Sequence, residues 1–165
     1  FHISTDGPFG TINRLRLGQL PEQTVKWEEI NAAWGQVVLL LDSLVKKCGI
    51  HMTQYRLIPR GSYSAIQANN DRLDLHSGDG VVGRFLTDKK YDMAMCTFLA
   101  CLRQVIRCLH LEPSMRLPFK IEEDKVGGFS VKLQFNQVDR WTKALKFMLA
   151  DLKWIIAFVE SREYS

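Results

Sequence analysis

The sequence predicts a mixed α+β (α/β) fold, a single globular domain of three β-sheet–α-helix repeats in a pseudo-threefold arrangement. Three observations carry that prediction. First, one phrase recurs three times along the chain: short alternating segments, then one long amphipathic helix. Second, the helices carry unbroken apolar stripes. In the last of them Trp141, Leu145, Met148, Leu152, Ile155 and Val159 follow steps of four and three, which puts all six on one side. Third, 165 residues with 46% hydrophobic and 24% charged residues suit one ordinary core and leave little room for a second. The repeats run approximately over residues 1–49, 50–112 and 113–165.

In the first repeat, Phe1 to Ser4 and Thr11 to Leu17 read as strands separated by a turn at Asp6, Gly7 and Pro8. They lead into a helix from about Val25 to Cys48, which Gly49 ends. Inside it, INAAWGQ sets two alanines and a glycine around Trp34, which suits close approach of another backbone. The second repeat has strands at Met52–Pro59, Tyr63–Ala68 and Arg72–His76, then a helix from about Lys89 to Leu111. Its buried stripe is Met95, Leu99, Leu102, Ile106 and Leu109, and Pro113 stops it. In the third, Arg116–Glu122 and Phe129–Phe135 form a hairpin around Val126, Gly127 and Gly128. Asn136, with Asp139 three residues on, caps the last helix, which runs to about Ser161. No sequence identity relates the three units, so their recurrence is one of pattern.

Several function classes fall away on composition. Lys and Arg exceed Asp and Glu by 22 to 18, a balance of +4 that favours anionic surfaces only weakly. A dedicated nucleic-acid binder would carry denser, clustered basic residues, so no nucleic acid is expected as a partner. The longest purely apolar stretches, Val37–Leu41 and Trp154–Val159, fall far short of the roughly 20 residues that cross a bilayer. Cys48, Cys96, Cys101 and Cys108 include no CxxC pair, which points to reduced thiols rather than a disulfide framework. The chain begins at Phe1 without a leader, as a piece cut from a longer protein would.

The motifs with chemical potential are weak. Gly78, Gly80 and Gly83 spell GxGxxG, but a dinucleotide fingerprint needs a helix opening at the third glycine. Arg84 to Lys90 carries no helical stripe, Asp79 would repel a phosphate, and a surface loop is the simpler reading. Cys48 and His51 form a C-x-x-H pair with Cys108 and His110 elsewhere, yet Cys48 falls on a core stripe, where a small thiol packs as an apolar group. Glu28 and Glu29 sit at a helix start, and Glu122 to Asp124 beside a turn, places where carboxylates have structural reasons to be. There is no GxSxG, HExxH or Walker loop. The expectation is a non-catalytic protein without cofactor or metal.

Three long strings, FGTINRLRLGQLP from Phe9, EINAAWGQVVLLL from Glu29 and WTKALKFMLADLKW from Trp141, resemble the Beclin family of autophagy proteins in its C-terminal globular domain. The resemblance runs over nearly the whole chain and implies the same three sheet-and-helix repeats. It also implies an aromatic finger that enters lipid bilayers, a run of three aromatics before an acidic residue and the next helix. Phe85 matches the first aromatic, Leu86 and Thr87 replace the other two, and Asp88 resumes the pattern. The implied membrane-binding residues are therefore Phe85 and Leu86 with Arg84, Lys89 and Lys90, in a loop from Val81 to Lys90. For an arbitrary chain, tucking of the two apolar side chains into the core is the commoner outcome.

The family further implies partners and a place. These are anionic or curved lipid membranes, and the catalytic and scaffold subunits of the class III phosphatidylinositol 3-kinase complex with a coiled-coil partner, met mostly through parts outside this chain. The setting would be cytoplasmic, peripheral on endosomal, autophagosomal or endoplasmic reticulum membranes, in autophagosome formation and endosomal sorting. A rival expectation is a protein-interaction module in which Lys143, Lys146 and Lys153 meet an acidic partner without lipid.

Overall fold

In a computed structural model, which describes residues 1–78, 84–109 and 117–163, the recurring phrase becomes three three-stranded antiparallel sheets, each followed by a long helix. The first unit is β1 (Ile3–Ser4), β2 (Gly10–Ile12), β3 (Leu15–Leu17) and α1 (Trp27–Lys47). The second is β4 (Tyr55–Ile58), β5 (Ala65–Ala68), β6 (Asp71–Asp74) and α2 (Arg84–Cys108). The third is β7 (Ile121–Glu122), β8 (Lys125–Val126), β9 (Phe129–Ser130) and α3 (Val138–Glu163).

The expected strand Thr11–Leu17 is two strands, because Asn13 and Arg14 adopt φ of 49° and 69° and reverse the chain between Ile12 and Leu15. Likewise the expected hairpin of the third repeat is a meander of two-residue strands. Glu123 (φ 52°) turns the chain between β7 and β8, and Gly127 and Gly128 (φ 58° and 86°) turn it between β8 and β9. A two-residue turn with both φ positive matches the right-handed twist of the strands it joins.

The core stripe expected on α3 is buried throughout, and that on α2 is buried apart from half-exposed Ile106, whose neighbour Val105 takes the inward position. α1 closes as its glycine predicts: Gly49 adopts φ 64° and the Ile50 N–H donates back to the Val45 carbonyl at 2.9 Å. Asn136 does not cap α3. Its Oδ1 accepts from the adjacent Gln137 N–H at 2.8 Å, while its Nδ2 donates to the Lys132 carbonyl at 2.8 Å, which ties the loop leaving β9 to itself.

The units interlock head to tail. The first sheet packs on its own helix and on α3, the second on its own helix and on α1, and the third on its own helix, while α2 reaches the third unit at the segment after β9. One polar side chain marks each seam, clamping the backbone that leaves the next sheet. Asn31 of α1 exchanges two hydrogen bonds with the Ser77 backbone (2.8 and 3.0 Å). Asp92 of α2 accepts the N–H groups of Leu133 and Gln134 (2.6 and 3.1 Å). Thr142 Oγ1 of α3 accepts the Gln19 N–H at 2.7 Å and donates to the Gln19 carbonyl.

Aligned on these clamps, the helices agree beyond pattern. Two residues on stand Ala33, Ala94 and Ala144; ten residues on stand Leu41, Leu102 and Leu152, all fully buried. Near the helix starts Trp27, Tyr91 and Trp141 meet with ring centroids 5.9–6.4 Å apart, so one aromatic from each helix joins a single cluster. Such edge-on and tilted contacts each add about 0.5–1.5 kcal/mol to the burial of the rings.

Candidate functional site

Arg84, Phe85 and Leu86 do not stand in a loop: α2 begins at Arg84, about five residues before its expected start at Lys89. The local sequence RFLTDKK lacks an apolar stripe, and its helicity comes from continuity with the strongly patterned segment behind it. Residues 81–83 of the expected loop lie outside the described residues. Lys89 follows Phe85, and Lys90 follows Leu86, by one helical turn, and both lysines are exposed. The expected site residues therefore share two turns of one helix.

The helix start also bears on the glycine motif. A helix does open directly after Gly83, contrary to the expectation from sequence, while Gly80 and Gly83 themselves lie outside the described residues. The strand before it, β6, is the edge of an antiparallel meander, whereas a dinucleotide fingerprint sits in a parallel βαβ unit.

The sulfur and acidic candidates resolve into structure. Cys48 is the C-cap of α1 and half-buried rather than enclosed in the core. Burial pushes the Cys96 thiol up to about 11 and the Cys101 thiol up to about 12, so both stay protonated at neutral pH and are poor nucleophiles and metal ligands. Among the described residues no three His, Cys, Asp or Glu side chains gather to hold a metal, and His110 lies outside them. Glu29 grips β3, accepting the backbone N–H and Nε of Arg16 at 2.8 Å and its Nη2 at 2.9 Å, and these hydrogen bonds hold its carboxyl below the usual range. Asp124 accepts the Ser130 hydroxyl.

The lysines of the rival reading are largely committed to the chain itself. Lys143 lies 4.8 Å from the Phe129 ring centroid, and Lys146 Nζ donates to the Gly7 carbonyl at 2.8 Å. Sequence reasoning passed over the other side of the α2 seam. Lys89, Asp92, Met93, Cys96, Lys132 and Gln134 line a cleft of about 540 Å³ between α2 and the third unit. Beside it Phe135 adopts φ 59° with 92% of its surface exposed.

The described helices include none long and apolar enough to cross a membrane. The Apg6 BARA domain family model matches residues 1–161. Beclin-1 of Xenopus laevis is 44% identical over 178 residues, covering all of this chain and 40% of the relative. The Beclin-1-like protein of Drosophila melanogaster is 44% identical over 98% of the chain and 40% of its own length. The vacuolar protein sorting-associated protein atg6 of Schizosaccharomyces pombe is 43% identical over 96% of the chain and 36% of its own length. The chain thus spans about two fifths of the length of these relatives. With a family model matched from Phe1 to Ser161 and such identity along the whole chain, the protein belongs to the Beclin/Apg6 family, as its BARA domain.

Proposed function

We propose that the chain is a non-catalytic, membrane-docking scaffold domain of a subunit of the class III phosphatidylinositol 3-kinase complex, acting in autophagosome formation and endosomal sorting. The observation that carries this reading is the start of α2, where Phe85 and Leu86 are followed within one turn by exposed Lys89 and Lys90. Burying the two apolar side chains in lipid contributes on the order of 1.5–3 kcal/mol each, and each lysine near an anionic surface about 1 kcal/mol. A single contact of that size is reversible, so stable attachment needs the rest of the complex. The catalytic, scaffold and coiled-coil partners meet the protein mainly through segments outside this chain, and its place is peripheral, on endosomal, autophagosomal or endoplasmic reticulum membranes. Mounting the contact on a packed helix lets it meet lipid without first being ordered, which lowers the entropic cost of docking. With Leu86 and Thr87 in place of aromatics, insertion is shallower and favours loosely packed, curved bilayers.

Flotation with phosphatidylcholine–phosphatidylserine liposomes tests the reading. Replacing Phe85 and Leu86 together by Asp is expected to abolish flotation and leave the thermal midpoint within a few degrees of its original value. Undiminished flotation of the double variant would remove these residues from the membrane contact.

A further inference from the structure

We infer that Phe135 is a second lipid-inserting residue, held beside the start of α2 by Asp92 so that one bilayer meets both. The inference rests on the membrane-docking reading above and extends it to a residue in another unit. Phe135 is unusual on two counts. Exposure of 92% is high for so large an apolar residue, and a bulky residue at φ 59° pays a backbone cost that Asn or Gly would largely avoid. The fold nonetheless fixes the turn that presents it. Asp92, itself buried, accepts the N–H groups of the two preceding residues, Leu133 and Gln134, at 2.6 and 3.1 Å. The Asn136 N–H closes the turn on the Leu133 carbonyl at 3.3 Å.

The internal repeat gives the turn its meaning. Phe85 precedes the clamp residue Asp92 by seven positions, and Phe135 precedes the matching clamp Thr142 by seven; in the first unit that place is taken by Thr24. Phe135 thus stands in the third unit where Phe85 stands in the second, although Phe85 lies inside its helix and Phe135 three residues before Val138 opens α3. Seven residues of helix rise about 10 Å, so Asp92 anchors the Phe135 turn within two turns of Phe85. Lys89 lines the same cleft as Lys132 and Gln134, which joins the basic residues of the α2 start to the flank of the turn. Asp92, Glu123 and Asp124 also line that cleft; Asp92 is taken up by backbone N–H groups and Asp124 accepts the Ser130 hydroxyl. An exposed aromatic ring next in the chain to a cleft lined by Lys89 and Lys132 suits the interfacial zone of an anionic bilayer.

The test compares Phe135→Asn with the unaltered chain in sedimentation with phosphatidylcholine–phosphatidylserine (7:3) vesicles, run beside the Phe85→Asp/Leu86→Asp variant. Asn tolerates positive φ, so Phe135→Asn is expected to hold or raise the thermal midpoint while weakening vesicle partitioning about tenfold. Partitioning of Phe135→Asn equal to the unaltered chain overturns the inference, including the outcome in which Phe135 proves to serve a protein partner. If Phe135→Asn weakens partitioning but the double Asp variant does not, the helix-start reading fails and the Phe135 contact stands. Absence of vesicle binding by the unaltered chain overturns both.

Discussion

The seam between α1 and the second unit is closed by backbone lying on backbone, whereas the seam between α2 and the third unit is held by a carboxylate beside a cleft of about 540 Å³. In the first, a Cβ built on Gly35 would lie 2.1 Å from the Gly61 carbonyl oxygen, and Asn31 adds a neutral amide clasp on Ser77. In the second, Asp92 gathers two N–H groups while Lys89, Lys132 and Met93 stay around an open space. One seam is built for rigidity and the other leaves surface free. The start of α2 and Phe135, which we propose meet lipid, flank the open one.

The largest expected effect comes from forcing the tight seam apart. Gly35→Ala places a methyl group inside a backbone carbonyl that cannot rotate away, so α1 and the loop at Gly61 must separate. The expected cost is about 3–5 kcal/mol in a denaturant titration. A loss below about 1 kcal/mol would mean that this seam yields as easily as the other.

Breaking the open seam should cost less and act locally. Asp92→Ala removes two charge-assisted hydrogen bonds and leaves the Leu133 and Gln134 N–H groups to find water, for an expected loss of about 2–3 kcal/mol. Hydrogen exchange should quicken first at those two amides, ahead of the core of α2. Uniform acceleration across all three helices would show that the clamp is as global as the Gly35 contact.

Which parts of this contrast could be read beforehand follows from their chemistry. Gly35 was legible because INAAWGQ surrounds Trp34 with small residues, a pattern with one obvious use, and the stripes of α1 and α3 were legible because long helices sample their period many times. Strands of two or three residues sample theirs once, which is why β2 and β3 merged into one expected strand. The first turn of α2 was missed because RFLTDKK has no apolar period, so Phe85 and Leu86 were expected in a loop. The clamps were invisible because Asn31, Asp92 and Thr142 share a task and not a side chain; only the Ala and Leu at fixed distances from them repeat. Phe135 was read as the end of a strand, and nothing in its letters announces a positive φ.

The smallest expected effect concerns a second buried aspartate, which sharpens the comparison by showing an unfinished clamp. Asp151 of α3 occupies the place of Leu40 and Cys101 in the other helices and is fully buried. Its Oδ1 accepts the Phe119 N–H at 2.9 Å, while its Oδ2 has no hydrogen-bond partner among the described residues. Burial pushes its carboxyl up to about 7, against an ordinary value of 3.8. The folded value is the higher one, so the folded state binds the proton more tightly. The resulting stabilisation is complete below about pH 4 and is lost as pH rises to about 7. Asp151→Asn keeps an acceptor for Phe119 and cannot ionise. It should therefore raise stability above pH 7 by on the order of 2 kcal/mol, with little gain at pH 4.5. Denaturant midpoints measured at both pH values decide the matter. Parallel shifts would mean that the Asp151 carboxylate finds compensation when it ionises.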